Sequence, residues 1–200
     1  FLNTAAVASG SALIAQSALP DLAWGATASP MNLLILGGTG YIGPHVVKLA
    51  VSRGHKVTTF TRGRRKPELP PEVIQLLGDR NGQLQALEGK TWDAVIDDSA
   101  TNPEWVRLST ELLKGRVPQY LFTSSTGVYY PYLKRGLDET TMPHTTMVDP
   151  KDGSESFGVQ KAQCEEITRA AFGKGAVVVR PSYIVGPGDT SDRFPYWPQR

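Results

Sequence analysis

Apolar and polar positions follow two spacings along this chain, and together they predict an ordered series of strands and helices. Short apolar or β-branched runs predict strands at Leu33–Leu36, Lys56–Thr61, Val73–Leu77, Trp92–Asp97, Gln119–Thr123 and Val177–Val179. Apolar residues three and four apart predict helices through Ile42–Ala50, Glu104–Leu113 and Phe157–Phe172, and Asn81–Lys90 reads as a short polar helix or turn. This alternation predicts an α/β fold with a doubly wound parallel sheet, whose ligands bind at the carboxyl ends of the strands.

Three glycines lie between the first strand and the first helix, at Gly37, Gly40 and Gly43. A strand, a glycine turn and a helix together direct free backbone N–H groups and the positive end of the helix dipole at one point, which suits a pyrophosphate. Gly37 permits the tight turn, Gly40 lets phosphates approach the backbone, and Gly43 lets the helix pack closely on the strand. The alternative is an ordinary turn between a strand and a helix, but the flanking pattern favours dinucleotide binding.

The turn sequence GGTGYIG resembles that of the extended short-chain dehydrogenase/reductases, in the NAD-dependent epimerase/dehydratase group. The segment SSTGVY at 124–129 and the segment RPSYIVGPGD at 180–189 resemble later motifs of this family, so the resemblance covers about residues 32–200. It implies a Rossmann-like NAD(P)-binding domain over residues 29–186. It also implies that residues 187–200 begin a substrate-binding region, which is truncated here.

The resemblance also implies a catalytic set. Ser125 matches the family's catalytic hydroxyl, and Lys161 matches the lysine of its Tyr-x-x-x-Lys motif. The tyrosine position of that motif is held by Phe157, which has no proton to transfer. In the family the lysine and the oxidised nicotinamide lower the tyrosine's pKa for acid–base catalysis. Tyr129 and Tyr130 are the nearest other phenols, and the sequence assigns neither of them that role.

The family's cofactor contacts can be carried over residue by residue. Its NAD-binding members end the second strand with an acid for the ribose hydroxyls, but Thr61 holds that place here and Arg62 follows it. We therefore expect NADP, with NAD as the alternative; the competing interpretation of 62–66 is a solvated basic loop. Asp79 is expected near the adenine amino group, unless it only caps the turn after it. The full expected set is Gly37, Thr39, Gly40, Tyr41, Ile42, Gly43, Arg62, Asp79, Arg80, Ser99, Lys161 and Pro181.

The first 28 residues differ in composition from the rest of the chain. They are rich in alanine and serine, carry one charge, and end in Ala26-Thr27-Ala28, a cleavage pattern of export signals. Their opening resembles the part of a twin-arginine signal that follows the arginine pair. We therefore expect a protein exported to the periplasm, and a cytoplasmic one if this segment is only a disordered or amphipathic extension. We also expect the chain to be a piece of a longer one, cut at both ends.

Composition narrows the functional classes. The 200 residues carry a net charge of +2, which implies no strong field for nucleic acid, and the first 28 are too interrupted by polar residues to form a good membrane span. One cysteine and three scattered histidines indicate no disulfide and no metal site. We expect a sugar-like small molecule as substrate and leave the oligomeric state open, a homodimer included. The alternatives are a non-catalytic NAD(P)-binding module, a sensor or scaffold, and a relative of the chloroplast stem-loop RNA-binding proteins, which have similar TRG and GDR segments.

Overall fold

A computed structural model describes residues 29–98, 100–147, 149 and 151–191. Its sheet has six parallel strands in the order β3-β2-β1-β4-β5-β6. The strands are β1 (Asn32–Leu36), β2 (Lys56–Thr61), β3 (Ile74–Leu77), β4 (Ala94–Asp97), β5 (Gln119–Thr123) and β6 (Ala176–Val179). The helices are α1 (Gly43–Ser52), α2 (Pro103–Leu113) and α3 (Gly153–Phe172), with 3-10 turns at Gln85–Leu87, Thr126–Tyr129 and Gly173–Gly175. The predicted doubly wound parallel sheet is confirmed.

The unbroken apolar run of β1 is explained by cover on both faces of the sheet. Leu34 and Leu36 join the core formed with α2 and α3, whereas Leu33 and Ile35 pack in a second core against α1. Successive side chains of a strand point to opposite faces, so a strand between two helical layers needs apolar residues at every position. The sheet is therefore held between two separate cores, and the ends of its strands remain available for a site.

The helices differ in detail from their predicted faces and bounds. Leu49, expected on the buried face of α1, is 52% exposed, and Val47 takes its place in the core. Helix α3 begins at Gly153, one turn before the predicted start, because the Asp152 carboxylate accepts from the backbone N–H groups of the first turn. The Asn81–Lys90 segment forms only the short 3-10 turn, since its apolar residues number too few to bury a helical face.

The order in which the strands are added to the sheet reverses at β1. Strands β2 and β3 lie on one side of β1, and β4, β5 and β6 lie on the other. The connections that follow β1 and β4 therefore lead away from each other, and a crevice opens outside the carboxyl ends of these two strands. The residues that follow these strands and β5 form the wall of the site described below.

Two of the sequence predictions fall on residues outside the described ranges. The export signal and its cleavage site lie within 1–28, and most of the expected substrate-region segment lies within 192–200. Both therefore stay predictions. Within the described part of the chain, no helix combines the length and the apolar character that a membrane crossing needs.

Candidate active site

The glycine turn has the local geometry of an anion cradle. Gly37 and Gly38 have φ of 113° and 80°, in the left-handed region that glycine adopts at little cost. A Cβ on Gly43 would lie 2.4 Å from the carbonyl carbon of Gly38, so only glycine lets α1 begin this close to the turn. A Cβ on Gly40 would meet only the Arg65 guanidinium, at 3.9 Å, so the space over this residue is open. The turn thus has room for a phosphate group against its backbone.

A cavity of about 770 Å³ lies beside this turn. Its wall is formed by the glycine turn, the ends of β4 and β5, the start of α3 and the segment 181–184. The expected site residues Tyr41, Ile42, Ser125, Phe157, Lys161 and Pro181 all line it. One cavity therefore unites motifs that the sequence spreads over more than 140 positions.

Ser125, Phe157 and Lys161 form one wall of the cavity. Ser125 precedes the 3-10 turn, and its hydroxyl accepts from the Gly127 backbone N–H at 3.1 Å. Phe157 is 41% exposed, and its ring centroid lies 5.9 Å from the Lys161 amine. The ring at the position of the family's tyrosine thus faces the cavity and is not turned into the core.

Lys161 is held by backbone carbonyls. Its Nζ donates to the oxygens of Ala100 and Thr123, both at 2.7 Å, at the ends of β4 and β5. An ammonium has three N–H groups, so one is left for a ligand in the cavity. Burial lowers the pKa of Lys161, although the nearby Asp97 carboxylate opposes this shift.

Neither Tyr129 nor Tyr130 is placed to supply the phenol that the family resemblance leads one to expect at position 157. Tyr129 does not line the cavity: its hydroxyl donates to the Asp138 carbonyl at 2.7 Å and contacts the Arg180 guanidinium. Tyr130 does line the cavity, but its hydrogen bond to Asp152 raises its pKa and makes it a weaker acid. Of these two phenols, neither is therefore suited to the proton transfer.

Three kinds of comparison relate the chain to known proteins. The sequence profile of the NAD-dependent epimerase/dehydratase family matches residues 33–105. The chain is 31% identical over 177 residues to the chloroplast stem-loop binding protein of 41 kDa b from Arabidopsis thaliana, covering 80% of this chain and 43% of that protein. The chain belongs to the extended short-chain dehydrogenase/reductases, in the epimerase/dehydratase group.

Solved structures of this group share the fold. A UDP-galactose 4-epimerase superposes with a TM-score of 0.67 at 21% identity, over 79% of this chain and 58% of that one. The Bordetella bronchiseptica enzyme WbmG, in complex with NAD and UDP, gives 0.64 at 18% identity, over 80% of this chain and 55% of that one. The chain thus spans less than two thirds of the length of these relatives.

Other expected cofactor contacts of this short-chain dehydrogenase/reductase lie outside the cavity wall. The Asp79 carboxylate accepts from the Asn81 backbone N–H at 3.0 Å, which is the capping role considered from the sequence. Arg62 is exposed after β2, Thr39 lies within the glycine turn, and Ser99 lies outside the described residues. Arg62 is the arginine expected at the cofactor from the sequence, whereas Arg65 is the one whose guanidinium approaches Gly40. No local pattern distinguishes two exposed arginines in one loop.

Arg80 was expected at the cofactor but lies in a buried ion pair. Its two terminal nitrogens donate to the two oxygens of Asp97 at 2.6 and 2.7 Å, and one of them also donates to Ser109 Oγ at 2.9 Å. Burial opposes the charge of Arg80, but the Asp97 carboxylate outweighs it and raises the pKa of the guanidinium. Tyr120 donates to the same carboxylate at 2.7 Å. Because Arg80 is committed to these partners, we leave it out of the proposed cofactor contacts.

Asp98 is a cavity residue that is absent from the set expected from the family resemblance. Here Asp98 lines the cavity, and its Oδ2 is buried without a hydrogen-bond partner. Burial and the neighbouring Asp97 raise its pKa to about 7, while the Gly38 backbone hydrogen bond, Arg80 and Lys161 oppose the rise. No motif in the sequence marks Asp98, and only its position in the cavity wall shows that it belongs to the site.

The segment after β6 closes one end of the site. A Cβ on Gly186 would lie 3.5 Å from the Tyr41 hydroxyl, and His45 Nε2 lies 3.3 Å from the Pro187 carbonyl oxygen. The segment 186–187 therefore packs against the glycine turn and the start of α1. No cluster of acids, histidines and cysteine suited to a metal ion occurs among the described residues.

Proposed function

We propose that this protein is an NAD(P)-dependent epimerase/dehydratase-like oxidoreductase in which Phe157 replaces the phenol that carries the proton. The observation that supports this proposal is the shared cavity wall: Ser125, Phe157 and Lys161 stand together beside an open glycine turn. The three positions that the family resemblance assigns to a catalytic set thus line one cavity, and the side chain of Phe157 has no proton to transfer. A protein of this kind binds the dinucleotide and transfers protons slowly.

The residues present fit a dinucleotide. The open backbone at Gly40 and the N-terminus of α1 would hold the pyrophosphate, and the free N–H of Lys161 would hold the ribose next to the nicotinamide. The dinucleotide, when bound, would supply hydride transfer. The Ser125 hydroxyl lies on the same wall and can donate a hydrogen bond to a substrate alcohol or carbonyl. These contacts position the reactants but leave the proton without a titratable carrier at Phe157.

A sugar or nucleotide sugar is the proposed substrate class. The related structures include a UDP-galactose 4-epimerase and an enzyme bound to NAD and UDP. In this chain Tyr130, Tyr132 and Tyr183 also line the cavity. Aromatic faces and hydroxyls suit the rings and hydroxyls of a sugar or a base.

The experiment that tests this function is Phe157→Tyr. General acid–base groups supply roughly 10²–10⁴-fold, so restoring the phenol should raise turnover of UDP-sugars at least about tenfold. Because the ring is already 41% exposed, the added hydroxyl should leave the melting temperature and the affinity for NAD(P)H nearly unchanged. Phe157→Leu is the control, since it changes the side chain without adding a proton carrier.

Two results would count against this proposal in different ways. If neither protein binds NAD(P)H, the dinucleotide site itself is absent. If both bind it and Phe157→Tyr turns over no UDP-sugar, the chain is the non-catalytic NAD(P)-binding module considered from its sequence. Nicotinamide fluorescence measures binding, and product analysis across a panel of UDP-sugars measures turnover.

We propose NADP as the preferred dinucleotide, and Arg65 as the residue that selects it. Thr61 holds the place of the acid, and its hydroxyl accepts from the Gly63 N–H at 3.1 Å. Because threonine carries no charge, no carboxylate at this position repels a 2′-phosphate. Hydrogen bonds to charged groups contribute roughly 1.5–3 kcal/mol, so Arg65→Ala should weaken NADPH about tenfold or more and leave NADH unchanged. Arg64→Ala, in the same exposed loop, is the matched control. Equal affinities of the unaltered protein for NADPH and NADH would contradict the proposed preference.

Stem-loop RNA binding is the second candidate function. Its support is the identity of 31% to the chloroplast stem-loop binding protein, together with the exposed run Arg62, Arg64, Arg65 and Lys66. Binding through such a run should weaken as salt rises, because phosphate contacts release counterions. A gel shift with a stem-loop RNA over a salt series, repeated on an Arg64→Ala, Lys66→Ala double variant, decides it. Absence of any shift at low salt removes this candidate.

A further inference from the structure

The cavity contains one carboxylate among its described lining residues, and it lies where the proposed cofactor would place an anion. Asp98 follows β4 directly, and it lines the same cavity as Tyr41 and Ile42 of the glycine turn. The backbone N–H groups of this turn are the donors that a pyrophosphate would use. An ionised Asp98 would therefore repel the charge of a ligand bound at the turn.

The surroundings of Asp98 do not neutralise it by pairing. Its Oδ2 is buried and has no hydrogen-bond partner. Charged groups face it from three elements: Asp97 on β4, Arg80 on the segment after β3, and Lys161 on α3. Arg80 is bound to Asp97 through both terminal nitrogens, and Lys161 donates to two backbone carbonyls. Among the ion pairs of the described residues, none joins Asp98 to either of them.

We propose that Asp98 couples dinucleotide binding to proton uptake: the pyrophosphate binds the glycine turn with the Asp98 carboxyl protonated. The proton comes from solvent and bonds to the carboxylate, which then donates its O–H to a ligand oxygen or to a neighbouring carbonyl. This inference rests on the proposed function, because it concerns how that site accepts a dinucleotide. A raised pKa of about 7 for Asp98 is consistent with it.

The consequence is an affinity that depends on pH. Above the pKa of free Asp98, each ligand bound takes up one proton, so affinity should fall about tenfold per pH unit. Between about pH 6 and about pH 8 the dissociation constant of the unaltered protein should therefore rise about tenfold. Asp98→Asn keeps the shape of the side chain but cannot ionise, so its affinity should be independent of pH and tighter than that of the unaltered protein at about pH 8.

The probe is NAD⁺, because its pyrophosphate has no group that titrates in this range, whereas the 2′-phosphate of NADP⁺ titrates near ~6. Calorimetry in two buffers of different ionisation enthalpy measures both the affinity and the protons taken up. We expect about one proton per NAD⁺ at about pH 8 for the unaltered protein and none for Asp98→Asn. Glu111→Gln, which removes an exposed charge on α2, is the control and should behave like the unaltered protein.

The outcomes separate this inference from the proposed function. Binding of NAD⁺ without proton uptake, or an Asp98→Asn variant that keeps the full pH dependence, overturns the role of Asp98 and leaves the dinucleotide site standing. No binding of NAD⁺ or NADP⁺ at about pH 6 overturns both. Should Asp98→Asn fail to fold, proton uptake by the unaltered protein decides the matter alone.

Discussion

Two adjacent carboxylates, Asp97 and Asp98, lie at the end of the same strand in opposite circumstances. Asp97 is fully buried and accepts from Arg80, Tyr120 and the Ala100 backbone N–H. Asp98 lines the cavity, with one buried oxygen that has no partner. The difference shows that burial alone does not give an acid its role, since the groups that face it decide whether it stabilises the fold or remains available to a ligand.

The largest expected effect comes from breaking the paired side of this comparison. Arg80→Met leaves the buried Asp97 charge without its ion pair, and removing one partner of a buried pair costs roughly 3–5 kcal/mol. The free energy of unfolding, measured in denaturant, should fall by about that amount. A loss below about 1 kcal/mol would mean that Tyr120 and the backbone suffice to hold Asp97.

The charge of the unpaired Asp98 carboxylate should have the opposite effect on stability, because it should lower the free energy of unfolding. The pKa of Asp98 is raised from 3.8 to about 7 in the folded protein, so ionisation favours the unfolded chain. The stability that the protonated Asp98 carboxyl contributes is therefore lost as pH rises from about 4 through about 7. The free energy of unfolding falls by at most about 4 kcal/mol, at ~1.36 kcal/mol per unit of pKa shift.

Asp98→Asn tests this sign. Its advantage in unfolding free energy over the unaltered protein should be absent near pH ~4 and full above pH ~7. Denaturant unfolding at several pH values measures this difference. An advantage that does not change with pH would show that the effect comes from packing and not from ionisation.

A smaller effect is expected where α3 meets the loop that carries Ser125. A Cβ on Gly158 would lie 2.1 Å from the Gly127 carbonyl oxygen, so Gly158→Ala must push the helix and this loop apart. Overpacking typically costs about 1–3 kcal/mol, and the displacement should also reduce turnover by separating Phe157 from Ser125. Gly153→Ala, at the start of the same helix, is the control, because no atom lies within 4 Å of a Cβ there. Equal melting temperatures of the two variants would contradict this packing argument.

The smallest effect should come from an exposed ion pair of similar geometry. Arg107 donates to Glu104 and Glu111 on the surface of α2, and its side chain is 45% exposed. Exposed pairs contribute little to stability because water and salt screen them. Arg107→Met should therefore lower the free energy of unfolding far less than Arg80→Met does, and its effect should disappear in high salt. An equal loss of unfolding free energy in Arg107→Met and Arg80→Met would show that burial does not decide how much these arginine pairs stabilise the protein.

Much of the fold and part of the site followed from local patterns. The strands were predictable because a sheet covered on both faces needs unbroken apolar runs, and Phe157 and Lys161 because residues four apart share a helical face. The glycine turn was predictable because three glycines at that spacing, between a strand and a helix, leave few other conformations. The buried face of α1 was partly wrong, since the choice between Val47 and Leu49 depends on how the helix rotates against the sheet.

By itself, the sequence determined the order of strands and helices and the place of the glycine turn, and it predicted the loss of the proton carrier at Phe157. Each of these is carried by residues close together along the chain. Only the tertiary structure decided that Arg80 pairs with Asp97, 17 residues away, that Arg65 and not Arg62 approaches the glycine turn, and that Asp98 faces the cavity unpaired. These roles depend on which strand ends meet at the switch point of the sheet, and contacts between residues so far apart leave no periodic trace in the sequence.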